Sequence, residues 1–475
     1  MKKNLCIILS VLSVAGSVNA HADGLLIADV ALRNDLAWLS NKGVINLDLT
    51  TWPLSQSEIN RALDAAQPRS AGQRQVIEHV ESRIRRIRSD VRVKAYLSTG
   101  KDALPQSFAM TQTSQNGESI SISQDGDWWD IHLNANAEYK QYIDDQSVFN
   151  LNNSYAAVKF ANQWLAFGQI PQSWGPGNEG SLIRSDAARP LTGFLMQRAE
   201  QTAPETTWLN WVGPWQYQLM GSQIDQYEAV PHTKVVGGRF TFSPGSGPLS
   251  IGMSHVMQWG GEGRPSDFSS FWDAATGKEY YGTDNPLGNH LAGFDVNYKL
   301  GRDFGVPVNV YGQMIGENVK HGFVPSQYMY LAGIEGHHQV EVNALNWYVE
   351  YHDTRSNGHK KNLSYQHQVY KDGYYQQGYP LGDAIGGDGQ LFAAKMELVT
   401  PENQRWSARV VYAKVNPENQ YQNTHFAQSD NLTGLQLGWE GDIYKEVRLG
   451  GMLWYVDADK NDTGAGMNIE VPFNF

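Results

Sequence analysis

MNIEVPFNF, residues 467–475, alternates apolar and polar side chains to its last position. In an extended strand successive side chains point to opposite faces. Met467, Ile469, Val471, Phe473 and Phe475 then form one face, and Asn468, Glu470, Pro472 and Asn474 the other. A soluble protein gains little from ending on a bare phenylalanine. A membrane barrel, by contrast, must close with a strand whose outer face meets lipid.

The same two-residue rhythm runs back through the chain to about residue 90. Val91, Val93, Ala95 and Leu97 alternate with Arg92, Lys94, Tyr96 and Ser98. Ile131, Leu133, Ala135, Ala137 and Tyr139 alternate with His132, Asn134, Asn136, Glu138 and Lys140. Leu435, Leu437 and Trp439 alternate with Gln436, Gly438 and Glu440. An inner face carrying Arg, Lys, His, Glu and Asn cannot be a sandwich core, where unpaired charges are costly. It suits a water-filled lumen, with the apolar face turned to lipid.

Connections between these strands fall into two kinds. Tight turns are expected near 125–127, 161–163, 213–214, 243–248, 301–307, 337–341, 401–404 and 442–446. Long loops are expected near 101–118, 141–152, 171–205, 227–233, 259–289, 318–328, 354–388, 416–430 and 458–464. Alternating short turns and long loops mark a transmembrane barrel, here of about 18 antiparallel strands, with the short turns periplasmic. Trp128, Trp164, Trp215 and Trp406 begin strands after short turns, and Trp211 and Trp439 end strands before them. All six are expected in one aromatic girdle at a membrane edge.

The first ninety residues read differently. Lys2 and Lys3 precede an apolar stretch from Leu5 to Val18, followed by Val18-Asn19-Ala20 and Ala20-His21-Ala22, two small-residue cleavage sites. The expectation is an export signal over 1–22 cleaved after Ala22, with Ala20 as the alternative. Cys6, the single cysteine, lies inside that signal, so neither disulfides nor thiolate metal sites are expected. Residues 23–90 read as a small periplasmic bundle of three helices. Leu32, Leu36 and Leu39 stripe the first, which Gly43 stops. Ser55-Gln56-Ser57-Glu58 reads as a capping box opening the second. Val76, Val80, Ile84 and Ile87 stripe the third, whose Arg83, Arg85, Arg86 and Arg88 are expected on a solvated face. No apolar run after residue 20 reaches the roughly 20 residues of a membrane-spanning helix, which excludes an inner-membrane protein. The net charge of −12 argues against nucleic-acid binding.

Several long strings carry a family resemblance: LRNDLAWLSNKGVI at 32–45, TTWPLSQ at 50–56, SLIRSDAARPLTGFLMQRAEQTAPET at 181–206, QWGGEGRP at 258–265 and YKDGYYQQGYPLGDAIGGDGQ at 370–390. Over essentially the full mature length the chain resembles the Wzi family of capsule-assembly outer-membrane proteins. The terminal strand ending in Phe475 also resembles the signal read by the outer-membrane assembly machinery. The resemblance implies an 18-stranded outer-membrane barrel with a periplasmic helical bundle and an outer mouth occluded by loops. It further implies a lectin-like role, holding exported capsular polysaccharide on the cell surface. The helical bundle has two candidate uses, blocking the barrel floor or contacting capsule-export machinery. The resemblance supplies no site residues.

Gripping a polysaccharide requires flat apolar faces for sugar rings, amides for hydroxyls and cations where the polymer is acidic. The long loops offer Trp174, Arg184 and Arg189, then Trp259, Arg264, Trp272, Tyr280 and Tyr281, then Tyr370, Lys371, Tyr374, Tyr375 and Tyr379. These are the candidate binding residues, and their basic members point to an acidic polymer. The alternative use of the same aromatics is to pack the loops into a plug. Pro171, Gly175, Pro176, Gly177 and Gly180 read as a fixed backbone path entering the lumen. No catalytic constellation stands out: His337-His338 lacks the helical spacing of a zinc hydrolase, and His352-Asp353 has no serine placed for it. Asp383 and Asp388 lack the spacing of a calcium loop. No cofactor is expected. A channel for oligosaccharides or anions through the polar lumen is the competing function.

Overall fold

The computed structural model describes residues 23–475 apart from 111, 144–146, 279–285, 321–323 and 445. The expected signal over 1–22, and the candidates Tyr280 and Tyr281, lie outside the described residues. Eighteen strands form one closed antiparallel ring. They are β1 Val91–Ser98, β2 Ser114–Gly126, β3 Trp129–Gln141, β4 Tyr155–Phe160, β5 Gln163–Gln169 and β6 Thr192–Arg198. Next come β7 Trp215–Gln223, β8 Lys234–Phe242, β9 Leu249–Trp259, β10 Gly288–Lys299, β11 Val308–Lys320 and β12 Val324–Val340. The ring continues with β13 Asn343–Asp353, β14 Gln390–Val399, β15 Arg405–Val415, β16 Asp430–Tyr444, β17 Val447–Asp457 and β18 Asp462–Phe473. A two-residue strand, Phe149–Asn150, adds to the edge of β3.

The last strand closes the ring on the first, Phe473 opposite Val91 and Met467 opposite Leu97. Closure leaves no free edge, which is what a sheet in hydrocarbon requires. Outward positions carry the exposed Leu97, Ile120, Leu133, Phe167, Phe294 and Leu453, while Arg92, Asn134, Glu138 and Glu470 are buried inside. The two-residue rhythm thus has its apolar side outward.

Nine connections lie at one end of the barrel and eight at the other. Individual boundaries differ from the sequence reading. The expected loop 171–205 contains β6, so the loop proper is 170–191. The turn expected at 213–214 is the tail of a longer connection, 199–214, with a 3-10 turn at Asn210–Val212 carrying Trp211. β11 and β12 pair out to Lys320 and Val324, which shortens the loop expected at 318–328. Trp128, Trp211 and Trp406 are exposed near the turn end. Trp164 is not part of the girdle. Leu165 and Phe167 take the lipid side of β5, so the Trp164 indole turns inward and donates to Ser55 Oγ at 3.0 Å.

The N-terminal segment closes the turn end of the lumen. It holds α1 (Val30–Asn41), α2 (Gln56–Asp64) and α3 (Ala71–Ile87), with Leu32, Leu36, Ile59, Val80 and Ile84 in one apolar cluster. Asp29 caps α1 by accepting from the Leu32 amide at 2.9 Å, and Gly43 adopts φ +69° just beyond its end. The capping box at Ser55 does not form. Ser55 Oγ is engaged by Trp164, and Glu58 pairs with Arg61 at 2.6 Å and accepts from the Gln201 amide at 2.7 Å. Nor do the α3 arginines form a solvated face. Arg83 pairs with Asp29 at 2.5 Å and Glu470 at 3.2 Å, and Arg86 with Asp442 at 2.9 Å. Arg88 reaches both Asp125 and Asp130 at 2.7 Å, leaving Arg85 alone in solvent, 3.8 Å from Glu81. Charge on this helix faces the barrel wall because the wall supplies the carboxylates.

Candidate functional site

The loop end is filled by two folded segments. Residues 172–191 are buried throughout and descend into the lumen. Gly175 and Gly180 take φ +145° and +143°, and a Cβ on Gly177 would stand 2.2 Å from the Gly180 carbonyl. The glycines therefore permit a tight path that other residues would break. Ser173–Trp174 pairs with Thr51–Trp52, joining this loop to the N-terminal segment inside the barrel.

Wall residues and α1 hold the segment by its polar groups. Trp174 donates to Gln218 Oε1 at 2.5 Å, Asn178 accepts from Arg33, and Glu179 meets both Arg409 and Tyr348. Arg189 pairs with Glu138 at 2.5 Å, and Arg184 Nε reaches Gln172 at 3.2 Å.

The second segment, 363–389, packs on the first. Tyr365, Tyr370, Tyr374, Tyr375 and Tyr379 are all buried. Tyr365 donates to the Leu182 carbonyl at 2.6 Å, and Tyr375 accepts from the Gly387 amide at 3.1 Å. Tyr379 stacks near His425, centroids 4.5 Å apart. Asp383 anchors the segment to β13 through His352 Nδ1 at 2.5 Å, while Glu350 occupies His352 Nε2 at 2.6 Å. Both ring nitrogens are thus occupied by carboxylates, leaving His352 none with which to act as a base. His337 and His338 point to opposite faces of β12, His337 toward Asn346 at 2.8 Å and His338 onto Trp347, so they cannot share an ion.

Trp174, Arg184, Arg189, Trp259, Tyr370, Tyr374, Tyr375 and Tyr379 are therefore packed inside the protein, their ring faces covered. The aromatic-rich loops plug the mouth. The other described candidates, Arg264, Trp272 and Lys371, lie closer to solvent. A short helix, α4 (Phe268–Ala275), is capped by Asp267, which accepts from the Ser270 amide at 3.0 Å. One face of α4 lies on the barrel rim, Phe271 edge-on to Trp259 at 5.3 Å. The solvent side presents Phe268 and Trp272, 79% and 58% exposed and one helical turn apart.

Arg264 sits over the Tyr370 ring at 5.9 Å, and Tyr370 donates to the Leu287 carbonyl at 3.1 Å, tying the α4 loop to the second segment. Next to Tyr370 the exposed Lys371 offers its carbonyl to the Tyr421 hydroxyl at 2.8 Å. Phe268, Trp272, Lys371 and Tyr421 thus belong to one linked group of surface loops. Tyr421 was missed in the sequence because loop 416–430 carries no basic neighbour beside it.

Buried loop carboxylates respond to the plug. Burial pushes the Asp186 carboxyl up to about 6, partly offset by amides including that of Ala109 at 2.8 Å. Asp388 is likewise raised by burial to about 6. Burial pulls the Lys101 ammonium down to about 8, where it donates to the His425 carbonyl at 3.0 Å.

Comparison with known proteins gives three results. The family model for capsule assembly protein Wzi matches residues 85–466. An uncharacterized 55.8 kDa protein of the cps region of Klebsiella pneumoniae is 57% identical over 473 residues, 99% of this chain and 93% of its own length. The solved structure of Wzi from Escherichia coli is 56% identical, covering 95% of this chain and all of that one, with a TM-score of 0.90. That protein is described as an outer-membrane protein involved in group 1 capsule assembly and a carbohydrate-binding β-barrel. On the family match and these whole-length identities, the chain belongs to the Wzi family of capsule assembly proteins.

Proposed function

We propose that the protein binds exported capsular polysaccharide at its outer face and attaches it to the cell surface during capsule assembly. In this reading the barrel spans the outer membrane, its loop end extracellular and its helices periplasmic. The whole-length likeness to the carbohydrate-binding Escherichia coli barrel is the observation that carries it. Phe268 and Trp272 supply exposed rings for sugar faces, and Lys371 and Lys278 supply cations for an acidic polymer. The chain catalyses no reaction of its own. Lipids contact its apolar outer face, and export machinery is its expected neighbour on the periplasmic side.

The channel reading loses support because both ends of the lumen are closed. Segments 172–191 and 363–389 occupy the mouth, and α1 and α3 are ion-paired to the wall across the floor.

Deletion in a capsule-producing host tests the proposal. Polymer released into the medium with total synthesis unchanged is the expected result, and undiminished attachment overturns it. Tyr374 and Tyr375 do not suit a surface test, since their rings are packed inside. Phe268→Ala with Trp272→Ala leaves the barrel untouched and should lower retained polymer at least tenfold.

A further inference from the structure

Beside the plug, the lumen holds a chamber of about 530 Å³ running along the wall from β14 through β18 to β1–β3. It lies within the roughly 300–1,000 Å³ of small-molecule sites. Glycines make its room: Gly438, Gly450 and Gly466 bring bare backbone to the inner surface of three adjacent strands. A Cβ at Gly466 would meet nothing closer than 3.7 Å. Asn136, Asn152, Asn468, Gln112, Gln436 and Tyr96 supply amides and a phenol around it. Its upper part abuts a smaller cavity under loop 99–113, with which it shares Gln112, Gln436 and the 43%-exposed Met110. The chamber is therefore approached from the outer mouth.

Its charges do not balance internally. Four carboxylates line it, and each is engaged: Glu138 by Arg189 at 2.5 Å, Glu397 by Arg405 at 3.3 Å, Glu440 by Arg448, and Asp186 by the Ala109 amide at 2.8 Å. The lining arginines are engaged in turn, Arg409 by Glu179. Two cations remain, Lys94 on β1 and Lys395 on β14. Among the described residues neither ammonium has a hydrogen-bond acceptor or a carboxylate within ion-pair distance. Four strands separate them around the ring, so they flank the chamber rather than share one group. Glu470 and Asp29 stand near Lys94, and Glu397, Glu179 and Glu440 near Lys395, but each of these carboxylates is bonded to an arginine. Both ammoniums therefore keep open donor positions for an anion, and the amides between them suit hydroxyls.

We infer that this chamber is a second saccharide site, taking a short acidic oligosaccharide of the uronic-acid class. Its carboxylate meets Lys94 or Lys395 at one end or the other of the chamber, and the lining amides meet its hydroxyls. The inference rests on the polysaccharide-binding reading and deepens it: the outer face holds the polymer, and the chamber reads its acidic unit.

The test uses the full chain in detergent micelles, with cellobiouronic acid as probe and cellobiose as neutral control, titrated by saturation-transfer NMR at low salt. Cellobiouronic acid should bind at least tenfold more tightly than cellobiose. Lys94→Met with Lys395→Met should erase that difference, and Gly466→Phe, which fills the chamber without touching either lysine, should abolish binding. Heat-modifiable gel migration reports whether each variant is folded, and should the lysine double variant misfold, Gly466→Phe decides. Equal binding of acid and neutral probes overturns the inference, as does wild-type binding in a folded Gly466→Phe or double-lysine variant. Failure of the wild-type chain to bind the acid overturns it too. A chain that still retains whole polymer on cells while failing these titrations loses the chamber and keeps the outer-face function.

Discussion

Arg83 shows how much one side chain can hold. It joins Asp29, which caps α1, to Glu470 on the closing strand. Burial alone would raise the Asp29 carboxyl, but Arg83 and the Leu32 amide outweigh it and hold it down to about 2. Removing one partner of a buried pair costs roughly 3–5 kcal/mol, because the other charge stays behind. Arg83→Met should lower unfolding stability in detergent by about that amount. Arg85→Met, at an exposed pair, should change it by less than about 1 kcal/mol. Urea denaturation of the two variants checks both. Asp186 behaves in the opposite sense. Its carboxyl is raised by burial to about 6 from 3.8, so its contribution is complete below about pH 4 and is lost as pH rises through 6. Amides near Ala109 should therefore exchange more slowly at pH 4.5 than at pH 7.5, after correction for intrinsic rates. Asp186→Asn should flatten that dependence.

At the scale of elements, the strands were legible and the loops were not. Period-two alternation follows from chain geometry, so β1, β3, β16 and β18 could be read directly from their side chains. The helical stripe of α1 and its stop at Gly43 were equally local. The α3 arginines failed for the converse reason: their partners Glu470, Asp442, Asp125 and Asp130 lie far along the chain, and no local pattern tells a solvated cation from a paired one. The loop tyrosines posed the same problem, since a sugar-stacking ring and a packing ring share one composition. Exposure separates Trp272 from Tyr374, and exposure belongs to the fold. The plug loop gives its own prediction. Gly177→Ala places a methyl 2.2 Å from the Gly180 carbonyl and should dislodge residues 172–191. Limited proteolysis should then cut within 172–191, which stays intact in the parent protein, and an uncut variant would mean that the plug tolerates the distortion.

For the whole molecule, the barrel is a sleeve around a folded interior. Asp35 of α1 meets Arg405 of β15, Arg33 meets Asn178, and Trp38 donates to the His338 carbonyl at 2.9 Å. Removing 23–90 would take Arg86 from Asp442, Arg83 from Glu470 and Arg88 from Asp130 at once, so the truncated chain should open at lower urea than any single arginine variant.

The three-way meeting of Arg83, Glu470 and Arg92 has a consequence in time. Glu470 arrives on the final stave of the ring, yet one of its two cations sits on a helix made near the start of synthesis. Zipping the seam and seating the stopper are thereby linked, and a ring that shuts early would trap that acid with only half of its counter-charge.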